Sequence, residues 1–141
     1  MGKIKLSETL RFLSAHLNRF TGGNLELVIT VDDEEVQAGE VLRANAALRA
    51  PEGKDVILGC ITISLRGQVQ RDGKWQVYDQ RAEAAHNVPL PGGHEYVLPI
   101  VIKIPAEAVL SEDGGDWRLR CQAVVDRSID PRDEAIVNVV A

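Results

Sequence analysis

The chain has 141 residues, 45% of them hydrophobic and 26% charged, with a net charge of −5. That length suits one domain and buries enough surface to fold without covalent staples. The acidic balance, with no lysine- and arginine-rich block to offset it, repels a phosphate backbone and argues against nucleic acid as a partner.

Only two cysteines occur, Cys60 and Cys121, too few for a disulfide scaffold. The basic start lacks the apolar stretch of a signal peptide, because Glu8, Arg11 and His16 interrupt it. No run is long enough to span a membrane, and no Asn-x-Ser/Thr acceptor is present. These features lead us to expect a cytoplasmic protein.

Residues 7–20 read as a helix. Leu6, Leu10, Leu13, Leu17 and Phe20 recur at steps of four, three, four and three, which draws one apolar stripe at helical period. Ser7 can cap its start, and Gly22 and Gly23 end it. The expected division is therefore a helix and Gly-Gly linker over 1–23 and a β-domain over 24–141.

Beyond Gly23 the period changes to two. Leu25, Leu27, Ile29 and Val31 share one face of a first strand, and the acidic run 32–35 leaves the sheet. Leu42, Ala44, Ala46 and Leu48 define a second strand. A long third strand carries Ile57, Ile61, Ile63, Leu65 and Val69 on one parity. Asp72-Gly73 then closes a two-residue hairpin. The implied register sets Ile63 against Ala82, Ile61 against Ala84, Arg66 against Asp79 and Trp75 against Gln70. Residues 87–93 read as a Pro/Gly loop. His94, Tyr96, Leu98, Ile100, Ile102 and Ile104 form the next strand, and one helical turn is expected over 106–110. Trp117, Leu119, Cys121, Ala123 and Val125 alternate in another, and a last strand begins near Ala135. About seven strands with frequent turns predict a mainly β, antiparallel sandwich, with Trp117 buried and Trp75 partly exposed.

Several short pieces fall in a telling order: Gly39-Glu40-Val41, then Ile63-Ser64-Leu65-Arg66-Gly67, an Ile-rich strand ending at Pro105, Asp116-Trp117-Arg118-Leu119, and the tail Ile129-Asp130-Pro131-Arg132-Asp133. Over about residues 20–140 this series resembles the bacterial sporulation-control family of the arrestin-like superfamily. Members of that family carry two sandwich halves, whereas this chain has one. The resemblance implies an arrestin-like sandwich acting as an adaptor or regulatory scaffold, without catalysis and without a cofactor.

Candidate chemical sites are sparse. Of His16, His86 and His94, the last two flank one loop with no third ligand at a metal-site spacing and read as exposed loop residues. Asp126, Asp130, Asp133 and Glu134 lack the spacing of a calcium loop and read as a solvated acidic turn. No nucleophile elbow, phosphate loop or dinucleotide fingerprint occurs. We therefore expect no catalytic residue, cofactor or metal. An enzyme would need a site built from residues that form no recognisable motif.

Cys60, Trp75 and Cys121 fall in the order found in immunoglobulin domains, which makes a cell-surface immunoglobulin-like binding module the competing reading. Parity opposes it, because Cys60 lies on the face opposite Ile61, Ile63 and Leu65 unless a bulge at Gly59 turns it inward. The expected interaction surface is the stripe Leu6, Leu10, Leu13, Leu17 and Phe20. Packing on the sandwich or in a homodimer ranks above contact with a membrane surface, because the helix lacks tryptophan. The protein partner itself is not named by the sequence.

Overall fold

Alternating apolar residues build two sheets that share one hydrophobic core. The computed structural model describes residues 25–125 and 130–141. The helix expected over 7–20, the 1–23 boundary and the stripe Leu6, Leu10, Leu13, Leu17 and Phe20 lie outside the described residues.

Among the described residues there are eight strands: β1 (Glu26–Val31), β2 (Glu35–Gln37), β3 (Val41–Arg49), β4 (Val56–Arg71), β5 (Lys74–Leu90), β6 (Glu95–Lys103), β7 (Asp116–Val125) and β8 (Arg132–Val140). The smaller sheet has the order β1-β3-β6 and the larger β2-β8-β7-β4-β5. All pairs are antiparallel except β2 with β8, which is parallel. The architecture is mainly β and sandwich-like, as expected. No helix of the described residues is long and apolar enough to cross a membrane.

The core follows the expected faces closely. Leu27, Ile29 and Val31 of β1 and Leu42, Ala44, Ala46 and Leu48 of β3 are buried from one side. Ile61, Ile63 and Leu65 of β4 and Trp117, Leu119, Cys121 and Ala123 of β7 are buried from the other. Leu65 and Leu119 sit side by side in the β4–β7 register, each fully buried. Truncating either to alanine would remove roughly 2–5 kcal/mol.

The shared motifs meet in space. Gly39 donates its N–H to the Ile104 carbonyl, and Ile104 returns one to Glu40, which ties the Gly39-Glu40-Val41 start to the Ile104-Pro105 end. Gly67 leaves room for Trp117, since a Cβ there would lie 2.5 Å from the indole ring. Trp117 is 5% exposed and donates Nε1–H to the Val109 carbonyl at 2.7 Å. Trp75, in contrast, is 61% exposed.

Five expectations about the elements and their register are corrected. The acidic run continues into β2, a strand of three residues that the alternation was too short to show. β5 extends through most of the supposed loop to Leu90. The connection after Pro105 forms a 3₁₀ turn at Ser111–Asp113, not a helical turn over 106–110. Ile57 is 62% exposed although it shares parity with Ile61, because β4 bulges at Gly59 against β7 and turns Val56 and Leu58 inward. Ile61 pairs with Ala85 and not Ala84, because β5 carries an extra residue between the partners of Ile61 and Thr62.

The hairpin itself is as read: Arg71 pairs with Lys74, Gln70 with Trp75, Arg66 with Asp79 and Ile63 with Ala82. Asp72 and Gly73 both have positive φ, 53° and 75°, as a two-residue turn of this handedness requires. A Cβ at Gly73 would meet nothing, so only the dihedral resists substitution. Gly73→Val should therefore cost about 1–2 kcal/mol, read as a lowered midpoint in chemical denaturation with an unchanged slope.

Candidate interaction surface

The larger sheet has five strands and the smaller three, so the smaller cannot cover it all. What remains uncovered is chiefly β5, the edge strand beyond β4. Its 17 residues are exposed along nearly all their length, and only Leu90 is buried. Trp75 and Val77 form an apolar end on its outer face, 61% and 52% exposed. Asp79 and Arg81 follow on the same parity and pair with each other at 3.3 Å. Hydrogen bonding alternates along an antiparallel pair. Counting from the Arg71–Lys74 pair that closes the turn, the N–H groups of Trp75, Val77, Asp79 and Arg81 face the open edge.

On the inner side of the hairpin, Tyr78 leans on Trp117, ring centroids 5.6 Å apart and tilted by 51°. Together with Gln76, Pro105, Ala108 and Val109 these rings line a shallow groove of about 160 Å³. Pockets that bury a small ligand usually span about 300–1,000 Å³.

The outer face of the larger sheet carries a charge ladder. Arg118 bonds Asp116 at 3.0 Å and Glu134 at 2.7 Å, and Arg120 reaches the other Glu134 oxygen at 2.6 Å. The Arg118 hydrogen bond holds the Asp116 carboxyl below the usual carboxylate value. Partial burial alone would raise Glu134, but the hydrogen bonds from Arg118 and Arg120 outweigh it and hold its carboxyl low. These groups neutralise one another across the face.

The expected acidic turn divides into separate roles. Asp126 lies outside the described residues. Asp130 accepts the Val125 N–H at 3.1 Å, and the neighbouring Pro131 carbonyl accepts Ala123 N–H. Asp133 is not solvated: it is 4% exposed, and its Oδ2 accepts the Ile29 N–H at 2.8 Å. Glu134 belongs to the charge ladder.

The cysteine basis of the immunoglobulin reading is lost. Both thiols are free, and they sit on neighbouring strands of one sheet, Cys121 registered with Ile63 and Cys60 with Val124. The bulge at Gly59 leaves Cys60 half-buried on the outer side. Burial, and then the charge of Asp133, push the Cys121 thiol up to about 12, which makes it a poor nucleophile.

The histidines also separate. His94 lies in the turn before β6, where its N–H bonds the Pro91 carbonyl. His86 lies on β5, with Nε2 at 2.7 Å from Glu83. Cys60 Sγ is 3.4 Å from the other Glu83 oxygen. Sequence reasoning missed this trio, since residues 83 and 86 of a regular strand point to opposite faces.

No family model matches the sequence, and no curated protein matches it. Its fold is similar to the crystal structure of Spo0M, a sporulation control protein from Bacillus subtilis, with a TM-score of 0.71 at 12% identity. The match covers 84% of this chain and 50% of Spo0M, so the chain spans about half the length of that protein. The resemblance read from the motifs thus holds at the level of fold.

The charge ladder generates a pH dependence. Asp116 and Glu134 have folded pKa values below their unfolded ones, so their stabilisation is present above the unfolded values and is lost as pH falls through the folded ones. Glu134→Gln should lower stability at pH 7 by up to about 1 kcal/mol, the scale of a solvent-screened pair. The difference from the parent should shrink as the pH falls through the acidic range. Thermal unfolding across that range checks both.

Proposed function

We propose that this chain is a non-enzymatic, arrestin-like regulatory scaffold that binds a protein partner by accepting an added strand at the open edge of β5. The observation that carries the reading is a 17-residue edge strand exposed along nearly its whole length. Such an edge presents a row of unpaired backbone groups, and added strands gain affinity from main-chain hydrogen bonds and specificity from alternate side chains. Trp75 and Val77 supply an apolar anchor, and Asp79 and Arg81 supply charge to set register.

Two further observations support a scaffold over an enzyme. The groove beside Trp117 is smaller than pockets that enclose a ligand, and the larger cleft of about 290 Å³ on the outer face is lined by Arg66, Gln68 and the charge ladder, whose carboxylates are paired with Arg118 and Arg120. The fold likeness to a sporulation control protein supports a regulatory role. A cytoplasmic setting suits two free thiols. The N-terminal stripe Leu6, Leu10, Leu13, Leu17 and Phe20 is the second contact we propose, for a homodimer or the same partner before a membrane surface.

The test is Val77→Pro. Proline is tolerated where an edge N–H faces outward, so the fold should survive while the edge loses a donor and gains a clash with an incoming strand. Tagged parent and variant should be used to capture proteins from the native host. We expect a partner retained by the parent and lost by the variant at equal thermal stability. Equal capture by both would contradict edge recognition.

A further inference from the structure

Cys60, Glu83 and His86 stand together on the outer face of the β4–β5 ribbon, with one ligand atom from each lying within 4.8 Å of the others. Their meeting depends on a backbone irregularity. In the β4–β5 register Cys60 is directly opposite His86, while Thr62 is opposite Glu83. Without the bulge, Ala84 would stand opposite Thr62, and Glu83 would point to the other face. The extra residue in β5 reverses the parity between Glu83 and His86, and both now project beside Cys60. Bulges of this kind re-aim side chains, and they are common next to functional sites.

We propose that this trio is a binding site for a zinc-class divalent transition metal, with Cys60 Sγ, a Glu83 carboxylate oxygen and His86 Nε2 as protein ligands. The donor set decides the class: a thiolate and an imidazole favour zinc and its neighbours over magnesium or calcium, which prefer oxygen alone. The distances suit it. Ligand atoms around a tetrahedral zinc are about 3.5 Å apart, given bond lengths of about 2.0–2.3 Å. Cys60 Sγ and Glu83 Oε1 are 3.4 Å apart. The 2.7 Å His86–Glu83 contact is a hydrogen bond that a metal would replace, and the pair would open slightly.

Three protein ligands leave one position of a tetrahedral ion open. The site lies on the edge strand, half-buried at Cys60 and exposed at Glu83 and His86, so that position is reachable by water or by a side chain from outside. A role in holding the fold together is a poor explanation for the trio. An exposed His–Glu pair contributes little to stability, and none of the three packs in the core.

The test uses the full chain, reduced and stripped of metal, titrated with cobalt(II). We expect one equivalent to bind, with a near-ultraviolet thiolate-to-cobalt charge-transfer band that zinc(II) then abolishes by displacement. Cys60→Ser should remove the band. Glu83→Gln and His86→Ala should weaken binding by about tenfold or more, since loss of even an outer hydrogen-bond partner costs that much at metal sites. His94→Ala should bind as the parent does. Thermal unfolding of the metal-free variants should match the parent, because the side chains lie outside the core. Absence of saturable uptake, or a charge-transfer band that survives Cys60→Ser, would overturn the proposal.

Discussion

The sandwich depends on a buried carboxylate that joins its two sheets. Asp133 is the first inward-facing residue of β8 in the larger sheet, and its Oδ2 receives the N–H of Ile29 in β1 of the smaller one. That bond spans 104 residues of chain. It satisfies a backbone donor in the edge strand of the smaller sheet and fixes where β1 lies against β8. β2 then continues from β1 and adds to β8 in parallel, with Ala38 N–H bonded to the Val140 carbonyl at its end. One side of the sandwich is closed by this arrangement. The Asp130-Pro131 turn holds Asp133 in place by bonding back to β7 through Val125 and Ala123.

Closure on the β1–β8 side leaves the opposite side of the larger sheet open. The buried residues of the larger sheet lie on β8, β7 and β4, and β5 joins the core only near its end, through Ala85, Val88 and Leu90. The features behind both proposals collect on this open side: the open backbone edge, the exposed Trp75 and Val77, and the bulge that assembles Cys60, Glu83 and His86. The same bulge limits how far a strand could pair along β5, since bulges disrupt a ladder and twist an edge away. The flat stretch available for pairing runs from the Asp72-Gly73 turn to about Ala82, with the trio at its far end.

The sequence made some of this legible for definite physical reasons. Asp72-Gly73 is a local signal, so the hairpin and its register near the turn were readable, as were the contrasting environments of Trp75 and Trp117. Alternation identified the faces of β3, β6 and β7 because those strands run without interruption. It failed at Gly59 and Ala84, because each bulge adds one residue and reverses every later parity. Gly59 offered a bulge but not its effect on the residues before it, so Ile57 was placed inside; Ala84 offers no such signal, and His86 was read as a loop residue rather than as a neighbour of Glu83. β2 is too short and too acidic to show a period. Asp133 belonged to a recognisable Asp-Pro-x-Asp motif, yet its partner is a backbone N–H far along the chain, and local reading took it for a surface charge.

The most direct test of the account is amide hydrogen exchange in Asp133→Ala. Removing the carboxylate leaves the Ile29 N–H buried without its acceptor, a cost of about 1–3 kcal/mol. If this carboxylate locks β1 onto β8, global stability falls and exchange accelerates at Ile29 and along β1, while the β4–β5 ribbon near Ile63 and Ala82 keeps its protection relative to the new global limit. Unchanged stability and unchanged protection at Ile29 would show that the sheets are held together without this carboxylate, and would contradict the account.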